Sequence, residues 1–221
     1  MGCFMMHIVE NYFTNIESYH RIVTSHYKDY LDMIEDYNHY SQGKDFLDVD
    51  EETQNLLYAI QRSMDESAMV IIAFSQMTIE SFCNAYLRKS YSKKILTRWN
   101  FERRLNETIS LLLVSSGISV TKKDLPNYYG DGVSELLKKR NKIVHRYPVI
   151  VRFPISKRLN SKNLRKFENA AKVGAEEIEK QALRRIDSLV VKRISEAYPT
   201  FIKTLSDAGC TFENIPFSFK V

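Results

Sequence analysis

The amino-acid sequence predicts an all-α fold, an antiparallel helical bundle with an extra long helix at its C-terminal end. Apolar residues recur at the i, i+3 and i+4 intervals of helices over long stretches of the chain. The 221 residues include only 7 Gly and 5 Pro, too few breaks for a many-stranded sheet. A hydrophobic fraction of 44% and a charged fraction of 27% fit a globular protein. We therefore expect a single helical domain over residues 1–221, with its core at residues 50–147.

The first two predicted helices cover residues 8–40 and 50–91. Apolar and aromatic side chains share one broad face of the first helix, and Ser41, Gln42 and Gly43 bring it to an end. The second helix opens with acidic residues, which favour a helix N-terminus. Its apolar stripe consists of Leu56, Leu57, Ile60, Met64, Ala68, Ile71, Ile72, Ser75 and Ile79. We expect this second helix to be the central core helix.

Two shorter helices are predicted next. Residues 101–115 form the third helix, which Gly117 ends, and residues 122–132 predict an irregular connection that contains a proline and a Gly-Asp-Gly sequence. The fourth helix then ends near Tyr147, because the residue before a proline, here Pro148, is pushed out of the helical conformation. The candidate functional residues lie near the end of this fourth helix.

Beyond the fourth helix the chain is first basic and then helical again. Residues 148–162 form a Pro- and Lys-rich connection, in which residues 149–153 could be extended. A final helix is expected over residues 163–208. Pro199 is a point at which that helix would kink or divide.

Positive charge is concentrated around the end of the fourth helix. Residues 138–167 contain eleven Lys and Arg and no Asp or Glu, which leaves 21 basic against 27 acidic residues in the rest of the chain. This segment suits a polyanion such as RNA, although a solvated basic loop would have the same composition. The side chains expected to contact RNA are Lys138, Lys139, Lys142 and Arg146.

Cysteine usage and the first residues predict a cytoplasmic protein. Cys3, Cys83 and Cys210 are odd in number and lack the spacing of zinc or redox pairs, and an apolar core helix is a poor setting for a nucleophilic Cys83. The sequence MGCFMMHIVE shows no basic leader, and we expect no membrane span in the chain. Without a metal-binding motif or a phosphate-binding glycine loop, no metal and no cofactor are expected.

One turn of helix gathers three side chains suited to RNA cleavage. Arg140, Asn141 and His145 lie at the end of the fourth helix. An imidazole moves protons near neutral pH, a guanidinium holds a phosphate through two parallel hydrogen bonds, and an amide orients either group. Asn141 and His145 lie one turn apart, and Arg140 is offset from His145 by about 140°, so its long side chain must reach round the helix.

Arg140 also interrupts an apolar stripe. It lies at helical spacing from Val133, Leu136 and Leu137, where packing would favour a hydrocarbon side chain. An unpaired guanidinium is costly to bury, so we expect Arg140 to face a cleft, a subunit contact, a phosphate or an internal carboxylate. Glu80 of the core helix is the candidate partner and would support the site.

The pattern Arg140-Asn141-x-x-x-His145 at the end of a bundle helix resembles the HEPN superfamily. Active members of that family share an Arg-x(4–6)-His motif, often with a polar residue after the arginine. The segment of residues 79–82, which contains Glu80, is similar to the second HEPN helix, where an acidic residue often lies near the arginine. The resemblance covers residues 50–147 and implies a four-helix core.

The resemblance implies a metal-independent endoribonuclease with a role as a toxin or an antiviral-defence effector. Two protomers would join their motif helices around a composite RNA cleft in a homodimer. His145 would act as general base or acid while the ribose 2′-hydroxyl attacks the adjacent phosphate, Arg140 would steady the developing charge, and Asn141 would orient the reacting groups. The product would carry a 2′,3′-cyclic phosphate.

The longer pattern Arg-x4-His-x-Tyr is similar to HEPN toxins encoded beside a nucleotidyltransferase antitoxin. The motif tyrosine of those toxins is adenylylated, and Tyr147 matches that position. The resemblance therefore implies an antitoxin partner and a modification at Tyr147. Those toxins are shorter than this chain, and the basic segment and the final helix have no counterpart in them.

A second copy of the Arg-x4-His spacing occurs at Arg21 and His26. This copy lacks the Asn after the arginine, falls in the middle of a predicted helix and has acidic neighbours. We therefore do not take it as the site.

Interpretations without catalysis stay open for the motif. Arg140 and His145 could be a buried arginine and a solvent-facing histidine, Glu80 could form an ion pair for architecture alone, and Tyr147 could belong to the core. The chain would then be a non-catalytic helical module that binds RNA or a protein partner, or a dimeric scaffold without affinity for RNA.

Overall fold

The computed structural model describes residues 15–144 and 187–212, together with the isolated helical residues Arg165, Asn169 and Lys172. Every regular element within these ranges is a helix, which confirms the predicted all-α class. The α-helices are α1 (Ile16–Ser41), α2 (Glu51–Leu87), α3 (Lys93–Leu96), α4 (Phe101–Ser115), α5 (Asp131–Val144), α6 (Ser188–Ser195) and α7 (Ala197–Asp207). Short 3-10 turns at Phe46–Asp48 and Leu125–Tyr128 lie in the connections. The predicted extended segment 149–153 lies outside the described residues.

Helices α1 and α2 form a long antiparallel pair. Near the start of α1 the Tyr19 ring contacts Phe74, with centroids 5.6 Å apart. Farther along α1, Tyr30 lies close enough to Asp65, an earlier residue of α2, for that carboxylate to raise its pKa, although burial of the phenol is the larger cause. As the position in α1 advances, the facing position in α2 recedes, so the two helices run in opposite directions.

The ends of α1 and α2 follow local sequence signals. α1 ends as predicted, because Gln42 and Gly43 adopt left-handed φ angles of 51° and 74°. α2 begins after Asp50, whose carboxylate accepts the backbone N–H of Thr53 at 2.9 Å. α2 ends at Leu87, four residues before the predicted end, whereas α4 has the predicted bounds. Residues 8–14 of the first predicted helix lie outside the described residues.

The hydrophobic core lies where α2 meets α4, α6 and α7. The stripe predicted for α2 is buried or half-buried except for Leu56, which is 38% exposed. The ring of Phe82 is fully buried and meets the ring of Phe201 edge to face, with centroids 5.9 Å apart. α2 is therefore the central core helix that the stripe predicts.

The prediction of a final helix over residues 163–208 that kinks or divides at Pro199 is wrong at Asp187. Asp187 has a non-helical backbone, with a ψ of 137°, and its carboxylate accepts the backbone N–H of Leu189 at 2.9 Å. This is an N-cap, so α6 starts as a new helix at Ser188.

A second interruption separates α6 from α7. Glu196 lies between them with a ψ of 0°, and Pro199 follows in the first turn of α7. The proline ring would clash with the carbonyl of Ser195 if the helix continued, whereas a proline in a first turn is tolerated. The predicted division near Pro199 is confirmed.

Helices α6 and α7 continue along α2 in the same direction. The hydroxyl of Ser75 donates to the backbone carbonyl of Ile194 at 3.0 Å, and the later residue Phe82 contacts the later residue Tyr198, with ring centroids 6.3 Å apart. The C-terminal helices α6 and α7 therefore pack against α2 and complete the hydrophobic core.

The expectation of no membrane span stays a prediction, because α2 is long and apolar enough to span one. By length and composition alone this helix could cross a membrane, with a mean hydropathy of 1.2 over an 18-residue window, and 44% of that window is buried in the structure. A core helix passes the same test, so the cytoplasmic location stays a prediction.

Candidate functional site

Helix α5 carries the candidate motif, and its start is packed tightly against the junction of α6 and α7. A Cβ atom added at Gly132 would lie 2.1 Å from the backbone oxygen of Arg193 and 2.8 Å from the Cα of Ala197. Such contacts with backbone atoms cannot be relieved by rotating a side chain. Only glycine lets α5 approach this junction so closely.

Tyr129, two residues before the first residue of α5, is also anchored. The hydroxyl of Tyr129 donates a hydrogen bond to the side-chain oxygen of Asn106 on α4. Burial, with a smaller contribution from the charge of Glu102, raises the pKa of Tyr129 to about 12, so the phenol stays protonated as a donor at neutral pH. The entry to α5 is thus fixed on one side by α4 and on the other by α6 and α7.

The buried face of α5 follows the predicted stripe. Val133 and Leu136 are fully buried, and Leu137 is half-buried against the core. The helical backbone continues through Val144, so position 140 lies about one turn beyond Leu136 in the same row. The structure thus places residues 140 and 141 in the final described turn of α5.

The chemistry of that turn stays a prediction. The backbone is helical at Arg140, Asn141 and Lys142, but their side chains lie outside the described part of the structure. His145, Arg146 and Tyr147 lie outside the described residues altogether.

Two of the lysines expected to contact RNA can be located. The side chain of Lys138 is 70% exposed, and its ammonium group lies 3.6 Å from the carboxylate of Glu135, one turn earlier. Lys139 is half-buried. Lys138 is the exposed partner of this pair, whereas the side chain of Glu135 is 17% exposed. The ammonium group of Lys138 therefore faces solvent, where a phosphate could reach it.

Glu80, the predicted partner of Arg140, forms an ion pair with Arg104 of α4. Their side chains are 26% and 14% exposed, and Glu80 also accepts a hydrogen bond from Gln76 at 3.3 Å. This pair fits the architectural interpretation of Glu80. The predicted approach of Arg140 to Glu80 stays a prediction, because the Arg140 side chain is not described.

Arg104 ties three elements together. Its Nε donates to the backbone oxygen of Leu96 at 3.1 Å, and its Nη2 donates to the backbone oxygen of Trp99 at 2.9 Å. Its Nη1 binds Glu80 and lies 3.4 Å from the side-chain oxygen of Asn84. Every nitrogen of the guanidinium therefore has an acceptor, which is the condition for holding a charge in a partly buried site.

Cys83 lies beside this ion pair and is chemically inert at neutral pH. The residue is completely buried, and burial raises the pKa of the thiol to about 12. The thiolate, which is the nucleophilic form, is therefore almost absent near pH 7. This agrees with the expectation that Cys83 is no nucleophile.

The second Arg-x4-His copy gains no support. Arg21 is exposed, whereas the Nδ1 atom of His26 is buried and has no hydrogen-bond partner among the described residues.

The sequence interpretation missed a second concentration of positive charge. Residues 88–103, which we call the basic corner, run from the end of α2 to the first turn of α4 and contain six basic residues and one acidic residue. All six basic residues are exposed. Treating everything outside residues 138–167 as one acidic remainder concealed this cluster, which charge counts in short windows would have found.

Within the described ranges, no group of three or more His, Cys, Asp or Glu side chains is placed to hold a metal ion. This finding covers those residues alone. The expectation of a protein without metal or cofactor stays a prediction.

Comparisons with protein-family models, with curated proteins and with solved structures found no match to this chain. The resemblance to the HEPN superfamily therefore rests on residues of the chain itself.

Proposed function

We propose that this protein is a metal-independent endoribonuclease of the HEPN type, with Arg140, Asn141 and His145 as catalytic residues. The observation that carries the proposal is the helical backbone of α5 through Val144. This helical backbone includes Arg140 and Asn141, the first two residues of the Arg-Asn-x-x-x-His motif, so they lie on a bundle helix as in the HEPN pattern. The HEPN-like four-helix core belongs to the same proposal.

The packing of α5 supports a site at its far end. The start of the helix is fixed by Gly132 and by the anchor at Tyr129, and Val133 and Leu136 hold its first turns in the core. A rigid element is the better support for catalytic groups, because their positions must be kept to within a fraction of an ångström. The motif would therefore stand at the end of a well-held helix.

In the proposed reaction the ribose 2′-oxygen attacks the adjacent phosphorus. His145 accepts the 2′-hydroxyl proton, the bond from phosphorus to the 5′-oxygen breaks, and a second imidazole from the other protomer of a homodimer supplies a proton to the leaving oxygen. Arg140 donates hydrogen bonds to the phosphate oxygens, and Asn141 orients the reacting groups. The products are a 2′,3′-cyclic phosphate and a free 5′-hydroxyl.

The remaining parts of the proposal concern binding and control. Lys138, Lys139, Lys142 and Arg146 would contact phosphates on either side of the cleaved bond. An antitoxin partner would control the enzyme by modifying Tyr147, and the enzyme would act in the cytoplasm as a toxin or an antiviral-defence effector.

Cleavage of labelled RNA in the presence of a chelator tests the proposal. Wild type, Arg140→Ala and His145→Ala are compared with His26→Ala, which alters the second copy of the motif. We expect wild type and His26→Ala to cleave equally, and both motif variants to be slower by about 100-fold or more. For His145 this is the usual contribution of general acid–base catalysis, and for Arg140 it is the usual contribution of a donor to the developing charge. Equal rates in all four proteins, or intact RNA with wild type, would reject it.

The shared cleft has its own test. Light scattering should give the mass of a dimer for wild type, and a strict monomer would count against a cleft built from two chains.

A non-catalytic RNA-binding module is the second candidate. The exposed charge of the basic corner favours it, because binding through that surface needs no chemistry at α5. It predicts intact RNA with both wild type and His145→Ala, together with an affinity for RNA that falls as salt is added.

A further inference from the structure

The basic corner carries a high net positive charge, and the side chains of all its basic residues are described and exposed. Its six basic residues and single acid give a net charge of +5 within residues 88–103, equal to the formal charge of all 221 residues. The basic residues are Arg88, Lys89, Lys93, Lys94, Arg98 and Arg103. So much like charge on a short exposed segment creates a positive potential that attracts polyanions.

The positive charges of this corner are little neutralised by the protein. Lys89, Lys93, Lys94, Arg98 and Arg103 form no ion pair with a described carboxylate. Among the nearby carboxylates, Glu80 binds Arg104 and Glu107 accepts the hydroxyl of Tyr91 at 2.6 Å. Glu102, the single acid of the corner, is exposed and forms no ion pair with these five residues. The surface is therefore available to an anionic ligand.

The fold holds this surface in a defined shape. The chain leaves α2 in a tight turn, in which the N–H of Tyr91 donates to the carbonyl of Leu87 at 2.8 Å, and then forms the single turn of α3. Leu96 is buried, and its carbonyl and that of Trp99 both accept hydrogen bonds from Arg104. A preorganised surface loses less conformational entropy when it binds a ligand.

Aromatic rings lie among the charges. The ring of Trp99 is half-buried and meets the ring of Tyr91, with centroids 4.9 Å apart. The guanidinium of Arg103 lies over Trp99, 4.4 Å from the ring centroid. Surfaces that bind single-stranded nucleic acids combine cationic groups with aromatic rings. The phosphates bind the cationic groups, and the unpaired bases stack on the rings.

A lipid surface fits the corner less well. Binding in a membrane interface needs a broad apolar face beside the charges. The large apolar side chain exposed on α3 is Ile95, at 43%, and the neighbouring Leu96 is buried. One isoleucine is too small an area for insertion.

We propose that residues 88–103 form a binding surface for single-stranded RNA, separate from the motif end of α5. The choice of RNA as the polyanion rests on the proposed function, whereas the surface itself stands on its charge, its exposure and its rings. It would hold the substrate strand through phosphates at Lys93 and Lys94 and through a base stacked near Trp99.

Trp99 provides a direct readout, because it is the only tryptophan of the chain. Unlabelled single-stranded RNA is titrated into His145→Ala, which avoids cleavage, and tryptophan emission and light-scattering mass are followed together. We expect the emission of Trp99 to change and to saturate as RNA is bound. Binding without any change at Trp99 would overturn the proposal.

Two double variants, made in the same His145→Ala background, test which lysines contribute to RNA binding. Lys93→Ala/Lys94→Ala removes two charges from the corner, and Lys122→Ala/Lys123→Ala removes two exposed charges from the connection between α4 and α5. We expect only the corner variant to weaken RNA binding. The slope of the logarithm of the association constant against the logarithm of the salt concentration should become less steep by about 1.4, at roughly 0.7 for each lost phosphate contact. Equal effects of both pairs, or none, would contradict the proposal, as would binding to anionic vesicles without binding to RNA.

The same measurements separate this proposal from catalysis. RNA that binds at Trp99 but is not cleaved by wild type would support the corner and reject the nuclease. Cleavage that depends on His145 without any response of Trp99 would support the nuclease and reject the corner.

Discussion

Two consecutive arginines on α4 show how differently this protein uses positive charge. Arg104 points inward, where it is 14% exposed and where Glu80 and two backbone carbonyls occupy its nitrogens. Arg103 is exposed and lies over Trp99 in the basic corner. Two neighbouring positions of one helix thus carry a partly buried, ion-paired guanidinium and an exposed guanidinium that contacts an aromatic ring.

The two sides of α4 also depend on each other. The carbonyls that Arg104 binds belong to Leu96 and Trp99, within the segment that presents the exposed lysines. The interior ion pair therefore holds the shape of the outer surface. Position relative to the core, not residue type, decides which role an arginine has.

The largest expected effect comes from breaking the interior pair. Arg104→Met leaves the carboxylate of Glu80 without its cation and two carbonyls without a donor, so we expect a loss of about 3 kcal/mol in the free energy of unfolding. Arg103→Met should lose less than about 1 kcal/mol, the range of an exposed cation–π contact. Urea denaturation measures both.

A double variant sharpens this contrast. Glu80→Met/Arg104→Met removes both charges, and we expect it to be more stable than Arg104→Met alone, because no unpaired carboxylate remains. Equal losses for Arg103→Met and Arg104→Met would remove the distinction between the two sides of the helix.

A second interior contact should have a somewhat smaller effect. Gly132→Ala places a methyl group against the backbone of Arg193 and Ala197, so we expect a loss of about 2 kcal/mol from overpacking. Gly130→Ala is the control, because its closest contact is the terminal Cγ2 of the Thr200 side chain at 2.8 Å, which can rotate away. Thermal unfolding should rank Gly132→Ala well below Gly130→Ala, and the reverse order would show that α5 is not seated as described.

The N-cap of α4, the helix that carries Arg103 and Arg104, should contribute less to the free energy of unfolding than the packing at Gly132. The side-chain oxygen of Asn100 accepts the backbone N–H of Arg103 at 2.8 Å. Asn100→Ala removes this N-cap and should lower the free energy of unfolding by about 1 kcal/mol, whereas Asn100→Asp keeps an acceptor and should stay close to wild type. If the alanine variant is as stable as the aspartate variant, the cap has no energetic role.

Cys83 lies beside the interior pair. Near neutral pH it should not affect how the free energy of unfolding depends on pH, whereas above pH 9 it should make that free energy fall as the pH rises. Its pKa is raised from 9.0 to about 12 in the folded protein. The stabilisation linked to the protonated thiol is therefore complete below pH 9 and is lost as the pH rises toward 12. Between these values wild type should lose stability more steeply than Cys83→Ala in urea denaturation, and parallel losses would contradict a buried thiol.

The helices were predicted correctly where apolar periodicity and the residues at the helix ends agreed. The apolar stripe of α2 and the bounds of α4 came from periodicity and local end signals, and the end of α1 came from Gly43. The C-terminal region was wrong because apolar periodicity continues across Asp187, whose capping hydrogen bond to Leu189 outweighs it. A single capping residue can thus set the start of a helix that hydrophobicity alone would place earlier.

The candidate site was predictable only in part. The spacing of Arg140 and Asn141 placed them correctly on a helix, since local periodicity fixes position along the chain. The partner of Glu80 was not predictable, because Glu80 and Arg104 lie 24 residues apart in sequence and meet only through packing of α2 on α4. Charge on Arg103 and Arg104 looked alike in sequence, and only burial distinguishes them.

In the proposed reaction the ribose 2′-hydroxyl attacks the adjacent phosphate, and a strand that lacks this hydroxyl at one position tests that step. An RNA with a single 2′-deoxy nucleotide at the cleaved position lacks the nucleophile and is otherwise unchanged. We predict that wild type in chelator leaves this strand intact while it cuts the all-ribose strand to a 2′,3′-cyclic phosphate. Cleavage of the 2′-deoxy strand, or products that end in a 3′-hydroxyl, would contradict the account.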